Sequence, residues 1–314
     1  MSAVRYLRDR EHPNLPPQEG DPNLYILGEL CGHNVVLAWL SGNQGKGAAA
    51  IVATNLSRSF PAVKWRFMVG IGGGVPSEKH DIRLGDVVIS MPEGHHGGVV
   101  QYDLGKDEEE NFKLKGLLLP LPTQLRNAVE LMRSNHMISD NKIEEFLQEM
   151  LQKGSGLSVY KRPPSGADVL FTFDYRHETN HATCEGCHKG MIIHRRPRSF
   201  DRPYIHYGLV ASGDRVMKRG VKRQATVQNV GDILCFEMEA AGIATEYPCM
   251  VIRGISDYAD SHKNDGWHYY AAATAAATAK ELLSCVPGGY ETGECEKDAR
   301  PHGRSVNELS NNGK

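Results

Sequence analysis

Short apolar strands alternate with helical segments along most of this 314-residue chain. Four apolar runs have the length and composition of buried strands: RFMVGI, GDVVIS, HYGLVAS and MVIRGIS. Apolar residues at helical spacing predict helices at 46–60, 123–135, 140–153 and 268–285, and a shorter helix at 239–247. This alternation predicts a single α/β domain with a largely buried central sheet.

The two ends of the chain differ from this pattern. Residues 1–10 look like the end of a helix, and a proline-rich connector follows them. The runs LYILGEL and NVVLAWL flank Cys31–His33 and predict a hairpin with a short turn. After Pro287 the composition shifts to Gly, Glu, Asn and Ser, so we expect one domain over 1–286 and a disordered tail over 287–314.

Composition excludes several classes of protein. The chain has 36 Lys and Arg against 38 Asp and Glu, a net charge of −2, whereas a nucleic-acid binder would lean basic. The longest apolar stretches, 35–40 and 116–121, are far shorter than the roughly 20 residues that cross a bilayer. Four of the seven cysteines lie in apolar segments, as is typical of reduced thiols. We therefore expect a cytoplasmic protein with no nucleic-acid or membrane partner.

A glycine run follows the first buried strand at Gly70–Gly74. Glycines let a backbone approach a phosphate or sugar closely, and they also serve as a tight turn at a strand end. The third glycine of a dinucleotide fingerprint would fall at Val75, so the motif disfavours a nicotinamide oxidoreductase.

Carboxylates stand at the ends of two other predicted elements. Asp257 ends an apolar strand in RGISDYAD, which puts it at the sheet edge where open α/β proteins bind ligands. Glu237 and Glu239 start a helix in CFEMEAAG. An ionised group that is buried needs a partner. These carboxylates therefore indicate either a ligand site or a helix cap combined with a salt bridge.

Four segments together resemble one known family: FEMEAAG, RGISDYADSHKND, MVGIGGGVPSEKHDIRLGDVVIS and GLVASGDRVMK. They resemble the nucleoside phosphorylase superfamily, in particular its purine nucleoside phosphorylase and methylthioadenosine/S-adenosylhomocysteine nucleosidase branch, as found in fungal multidomain proteins. The resemblance covers residues 1–286. It implies a three-layer α/β/α sandwich with a mixed central sheet, and cleavage of the N-glycosidic bond of a purine nucleoside or nucleotide.

The resemblance also implies roles for individual residues. Asp257 would protonate N7 of the purine, so that the base leaves as a neutral heterocycle. Glu239 would bind the ribose hydroxyls and Met238 would pack under the sugar. Further substrate-binding positions that the resemblance implies are Gly72, Gly73, Ser212, Val216, Met217 and Ser256. Family members are commonly homo-oligomers, and the resemblance implies no cofactor.

Water is favoured over phosphate as the attacking group. Aligning MVGIGGG on the phosphorylase pattern puts Met68 where an Arg would bind phosphate and Ile71 where a Ser would do so. The family's water-activating carboxylate lies on a strand and loop before the first helix, and this chain starts at that helix. We therefore expect impaired activity. The alternative is a catalytically inactive nucleoside- or nucleotide-sensing module of a fungal signalling protein.

A polar stretch over 174–203 is rich in histidine, cysteine and arginine. Its Cys-x2-Cys pair has zinc-like spacing with a nearby histidine, and the alternative zinc ligands are His177, Cys184 and Cys187. Because the stretch contains a single such pair, we expect no metal and reduced surface thiols. The basic cluster Arg195, Arg196 and Arg198 predicts a solvated face, with phosphate binding as the alternative.

Overall fold

The computed structural model describes residues 2–40, 42, 44–109, 112–178, 183–263 and 265–288, and these contain seven α-helices and eleven strands. The helices are α1 (Ser2–Tyr6), α2 (Lys46–Ser59), α3 (Thr123–Asn135), α4 (Ile143–Gln152), α5 (Gly220–Val230), α6 (Ala240–Ala244) and α7 (His268–Cys285). The strands are β1 (Arg10–Glu11), β2 (Ile26–Leu30), β3 (His33–Leu37), β4 (Phe67–Gly74), β5 (Val87–Ser90), β6 (Val99–Gln101), β7 (Gly105–Asp107), β8 (Phe112–Leu114), β9 (Ile205–Ser212), β10 (Ile233–Glu237) and β11 (Met250–Asp257).

The central sheet has the strand order β10-β4-β11-β5-β9-β6. Strand β11 runs parallel to β4, from the pair Met250–Phe67 to the pair Asp257–Gly73, and antiparallel to β5. Strand β10 pairs with β4 on one side and also runs parallel to β9, so the sheet closes on itself. Parallel and antiparallel pairs coexist, which confirms the predicted mixed sheet.

Helix α7 lies against the middle of this sheet and contacts β4, β5 and β11. The small alanine side chains of α7 let its backbone lie very close to that of β11. A Cβ at Gly254 of β11 would lie 1.8 Å from the carbonyl oxygen of Ala271. Helices α1, α3 and α4 pack on α7, while α2 and α6 pack on each other. The result is the predicted three-layer α/β/α arrangement.

A smaller sheet of β1, β2 and β3 stands beside the central one. The hairpin of β2 and β3 turns at Cys31 and Gly32, as predicted. The first helix is shorter than the expected 1–10 and ends at Tyr6. Beyond it the backbone pairs with β2, because Asp9 N–H donates to the carbonyl oxygen of Glu29 (2.9 Å). The guanidinium of Arg8 also donates to the carbonyl oxygen of Leu27 (2.6 Å).

Within the described residues, no helix combines the length and the apolar character that a membrane span requires. Most of the tail expected over 287–314 falls outside the described residues, of which the last is Gly288.

Candidate active site

Asp257 ends β11 and is buried, with 5% of its surface exposed. Its Oδ1 atom accepts a hydrogen bond from the backbone N–H of Ala259 (2.9 Å), and its Oδ2 atom accepts one from Ser256 Oγ (2.9 Å). The ammonium of Lys263 lies 3.0 Å from the same Oδ2 atom. The carboxylate is thus held by the loop that follows its own strand.

The glycine run packs directly against Asp257. A Cβ at Gly73 would lie 2.8 Å from Asp257 Oδ1 and 2.8 Å from the Cβ of Ala259. A Cβ at Gly72 would lie 3.0 Å from the carbonyl oxygen of Phe236, and Ser256 Oγ is 3.4 Å from the Gly72 carbonyl oxygen. Glycine at 73 therefore provides the room that the Asp257 side chain occupies.

A buried ion cluster lies beside the same run. The guanidinium of Arg253, in β11, pairs with Glu237 and lies 3.2 Å from Glu239 Oε2. Glu237 also accepts hydrogen bonds from the backbone N–H groups of Glu239 (3.1 Å) and Ala240 (3.0 Å) at the start of α6. Burial disfavours the charge on Arg253, yet the two carboxylates outweigh it and raise the pKa of the guanidinium above its ordinary value.

The remaining implied substrate residues have different surroundings. Ser212 ends β9 and is buried, and its Oγ atom accepts a hydrogen bond from the backbone N–H of Ala241 (2.9 Å). Met217 is buried in a small apolar cluster with Phe236 and other residues, whereas Val216 is 48% exposed. Met238 is half-buried. Ser212 and Glu239 thus both lie at the N-terminus of α6, while Val216 faces solvent.

The N-terminus of α2 is closed by carboxylates of the chain itself. The backbone N–H of Lys46 donates to Asp214 Oδ1 (2.9 Å), and its ammonium lies 2.7 Å from Asp103 Oδ1 and 3.3 Å from Asp214 Oδ2. Burial opposes ionisation of Asp103, but hydrogen bonds from Lys46, the Asp214 N–H and Gln101 outweigh it and lower its pKa. An external anion would have to displace these groups.

The basic cluster of the polar stretch is largely paired rather than solvated. Arg195 binds Asp168 (2.8 Å), Arg198 binds Asp86 (2.6 Å), and Arg196 is exposed. The expectation of a solvated face is therefore wrong for Arg195 and Arg198, because both are largely buried and paired with carboxylates. A cavity of about 350 Å³ opens beside Arg198, and each arginine that lines it has a carboxylate partner: Arg83, Arg162, Arg198 and Arg202.

The alternative zinc ligands of that stretch also converge. The ligand atoms of His177, Cys184 and Cys187 lie within 4.8 Å of one another. Burial, together with repulsion from the neighbouring thiol, raises the pKa of Cys184 to about 11. Cys187 is buried, contrary to the expectation of a surface thiol. His181 of the same stretch lies outside the described residues.

Two charged residues of the site were missed by the sequence reasoning. Arg253 had a readable signal, since a lone arginine inside the apolar run MVIRGIS requires a buried partner. Lys263 lies in a polar loop after β11, and nothing in its sequence surroundings distinguishes it from a solvated lysine.

Comparison with known proteins identifies the family of this chain. A family model described as "Phosphorylase superfamily" matches residues 3–285. A "Nucleotide-binding leucine-rich repeat (NLR)-like protein" of Hyaloscypha variabilis is 38% identical over 91% of this chain, and the chain spans 28% of that protein's length. A "5'-methylthioadenosine/S-adenosylhomocysteine nucleosidase" of Mycobacterium bovis is 23% identical over 84% of this chain and 85% of the relative.

A solved structure shares the fold. It is a methylthioadenosine/S-adenosylhomocysteine nucleosidase of Colwellia psychrerythraea in complex with adenine, with a TM-score of 0.58 and 17% identity, covering 92% of this chain and 93% of that one. A likeness at this level of identity concerns the fold alone. The family model, in contrast, matches almost every described residue, and the chain therefore belongs to the phosphorylase superfamily.

Proposed function

We propose that this chain cleaves the N-glycosidic bond of a purine nucleoside or nucleotide, with water as the attacking group. The observation that carries the proposal is a pair of carboxylates near the end of β11: Asp257, which is buried at the last position of that strand, and Glu239, which lies 3.2 Å from Arg253 of the same strand. The methylthioadenosine/S-adenosylhomocysteine nucleosidase of M. bovis and the adenine-bound structure of C. psychrerythraea support a purine as the leaving base.

Asp257 is the proton donor in this proposal. It protonates N7 of the purine while the bond from N9 to the anomeric carbon breaks. Water adds to that carbon and loses a proton to solvent, from which Asp257 regains its own. The Ala259 N–H and Ser256 Oγ fix the carboxyl group at 2.9 Å each. When the proton has left, the Lys263 ammonium, at 3.0 Å, neutralises the carboxylate that remains.

Glu239 binds the ribose hydroxyls. Its carboxylate is 14% exposed, unlike that of Glu237, and so is open to a ligand. Arg253 holds it from the buried side at 3.2 Å, which leaves its other lone pairs for the hydroxyls. Hydrogen bonds from those hydroxyls strengthen as the sugar ring becomes cationic in the transition state.

Three features support water rather than phosphate. Met68 and Ile71 have no donor side chain for a dianion. The nearby Arg253 is already bound to two carboxylates, and the α2 N-terminus is already occupied by Asp214. Water is neutral, and it needs none of these cations.

The test measures free base released from adenosine, methylthioadenosine, inosine and ATP, with and without added phosphate. We expect release that is independent of phosphate. Asp257→Asn should lower the rate by about two to four orders of magnitude, the usual scale of a positioned proton donor. Asp107→Asn, at an exposed carboxylate in β7, is the matched control and should keep full activity.

Two results would contradict the assignment. Near-normal turnover by Asp257→Asn would remove it as the acid, and ribose 1-phosphate formed in proportion to added phosphate would make the chain a phosphorylase. Glu239→Gln should lower the rate of base release from ribosides more than the rate from 2′-deoxyribosides, because only ribosides carry the 2′-hydroxyl. An equal fall in the rates for both kinds of substrate would mean that Glu239 has a structural role.

A second candidate is a sensing module that binds the nucleoside without cleaving it. It is favoured by the 38% identity to an NLR-like protein of which this chain spans about a quarter. Titration calorimetry with adenosine distinguishes the two. Binding that Glu239→Gln weakens, without any base release by the unsubstituted chain, would establish the sensor and exclude the hydrolase.

A further inference from the structure

Three side chains that bind metals converge before β9, outside the site described above. His177, Cys184 and Cys187 bring their ligand atoms within 4.8 Å of one another. Two thiolates on one tetrahedral zinc lie about 3.8 Å apart, because each Zn–S bond is about 2.3 Å long. The separations of these three atoms thus exceed the spacing that a shared zinc ion would impose by at most about 1 Å.

The backbone around the two cysteines is built as a turn. A short 3₁₀ helix covers Cys184–Gly186, and the N–H of Cys187 donates to the carbonyl oxygen of Cys184 (3.1 Å). The spacing Cys-x2-Cys is the one that zinc knuckles use to aim two sulfurs at one point. The geometry of the turn therefore agrees with the convergence of the sulfur atoms.

His262 is an unpartnered histidine beside this turn. Its side chain is more than nine-tenths buried, and neither ring nitrogen has a hydrogen-bond partner among the described residues. The ring stacks on Phe171 at 4.1 Å, and its centroid lies 5.6 Å from that of His177. Leaving a buried polar group unsatisfied costs free energy, so a ligand bound to this ring would stabilise the fold.

The surroundings of His262 match those of a metal-bound histidine. Such a histidine ordinarily donates its second ring N–H to a carboxylate. Asp260 Oδ1 lies 3.6 Å from His262 Nδ1, just beyond hydrogen-bond distance, so a small shift of the ring would form this hydrogen bond and leave Nε2 as the ligand atom. The thiol of Cys184 lies 4.0 Å from the carbonyl oxygen of His262, so the loop and the turn are already in contact.

We propose that one Zn²⁺ ion binds to His177, Cys184 and Cys187, and that the ring of His262, which lies outside this group of converging ligand atoms, moves in as the fourth ligand. Four protein ligands close a tetrahedral site, which is the arrangement of structural rather than catalytic zinc. Two thiolates select zinc over magnesium or calcium, which prefer oxygen ligands.

The ion would link the polar stretch to the loop that follows Asp257. His262 precedes Lys263, whose ammonium lies 3.0 Å from Asp257 Oδ2. Zinc bound to His262 therefore fixes the position of Lys263 as well. The zinc proposal itself does not depend on the reaction assigned to Asp257.

The first test is the metal content of the chain purified without chelators, measured by plasma mass spectrometry. We expect about one zinc per chain. Cys184→Ser and Cys187→Ser should lose most of it. Cys285→Ser is the matched control, because Cys285 is a free, half-buried cysteine at the end of α7, and this variant should keep the metal.

The second test uses Co²⁺ on the unsubstituted chain after chelation, which avoids any variant that fails to fold. Tetrahedral thiolate-bound cobalt gives visible absorption, and added Zn²⁺ should abolish it. His262→Gln should weaken Zn²⁺ binding by at least about tenfold, because changing even a group that only supports a metal ligand lowers metal affinity by that much.

Several outcomes would overturn the proposal. A chain without zinc that also gives no cobalt spectrum excludes the site, and so does a Cys184–Cys187 disulfide found by mass spectrometry in the purified chain. Unchanged affinity in His262→Gln would remove His262 and with it the link to the loop after Asp257.

Discussion

Arg253 offers the sharpest test of how the site is held together. Its side chain is 4% exposed and that of Glu237 is not exposed at all. Arg253→Met keeps most of the volume and removes the charge, so Glu237 and Glu239 lose their shared cation. Removing one partner of a buried ion pair costs about 3–5 kcal/mol, because the remaining charge stays buried without compensation. We expect a loss of this size in the free energy of unfolding.

A second substitution shows whether the lone charge is the cause. Glu237→Gln removes the charge that Arg253→Met leaves behind, and its amide oxygen still accepts from the N–H groups of Glu239 and Ala240. The double variant should therefore be more stable than the sum of the two single losses predicts. Contacting residues of this kind couple by about 0.5–3 kcal/mol, and we expect the upper half of that range.

Urea unfolding followed by circular dichroism measures these free energies, provided that the slope with urea concentration stays unchanged. Arg10→Met is the control, because the pair Arg10–Glu29 is exposed at the arginine and should contribute far less. The reasoning fails if Arg253→Met stays within about 1 kcal/mol of the parent chain, or if the two losses simply add.

Two further substitutions test the packing at Asp257 and the acid stability of the fold. Gly73→Ala puts a methyl group 2.8 Å from Asp257 Oδ1, so base release should fall by about one to two orders of magnitude. Gly47→Ala in α2 has open space and should leave the rate unchanged. Burial opposes ionisation of Asp86, but hydrogen bonds from Arg198 and His206 lower its pKa below the ordinary 3.8. Its contribution to stability is therefore full above about pH 4 and is lost as pH falls through the lowered pKa, so Asp86→Asn should flatten the acid loss of unfolding free energy. An acid transition identical in the two chains would contradict this.

Local patterns predicted some of the elements and missed others, among them α5 and β10. Helices α3 and α7 begin and end at the predicted residues, because the residues of each segment and its immediate neighbours in the sequence determine where the helix begins and ends. The strand order could not be predicted in this way. Strand β10 pairs with both β4 and β9, and that choice depends on how distant segments pack rather than on the residues of β10.

Some residues of the candidate site could be predicted from the sequence and others could not. Motif positions identified Asp257 and Glu239 as candidates, and both are buried or nearly so. Their cations were not predicted, because Arg253 and Lys263 reach the carboxylates only after β11 has paired with β4 and the loop has folded back. His262 was missed for the same reason, since the turn at Cys184 that its backbone contacts comes some 80 residues earlier in the chain.

The contact of Gly254 with Ala271 has a consequence for the motions of the protein. Strand β11 is buried along its whole length, and α7 is buried from Ala273 to Leu283, so we expect the amide hydrogens of these residues to exchange only through global unfolding. These amides should be the last to exchange with deuterium, whereas those of the exposed hairpin β7–β8 should exchange through local opening. Asp257 is therefore anchored to the part of the chain that opens last.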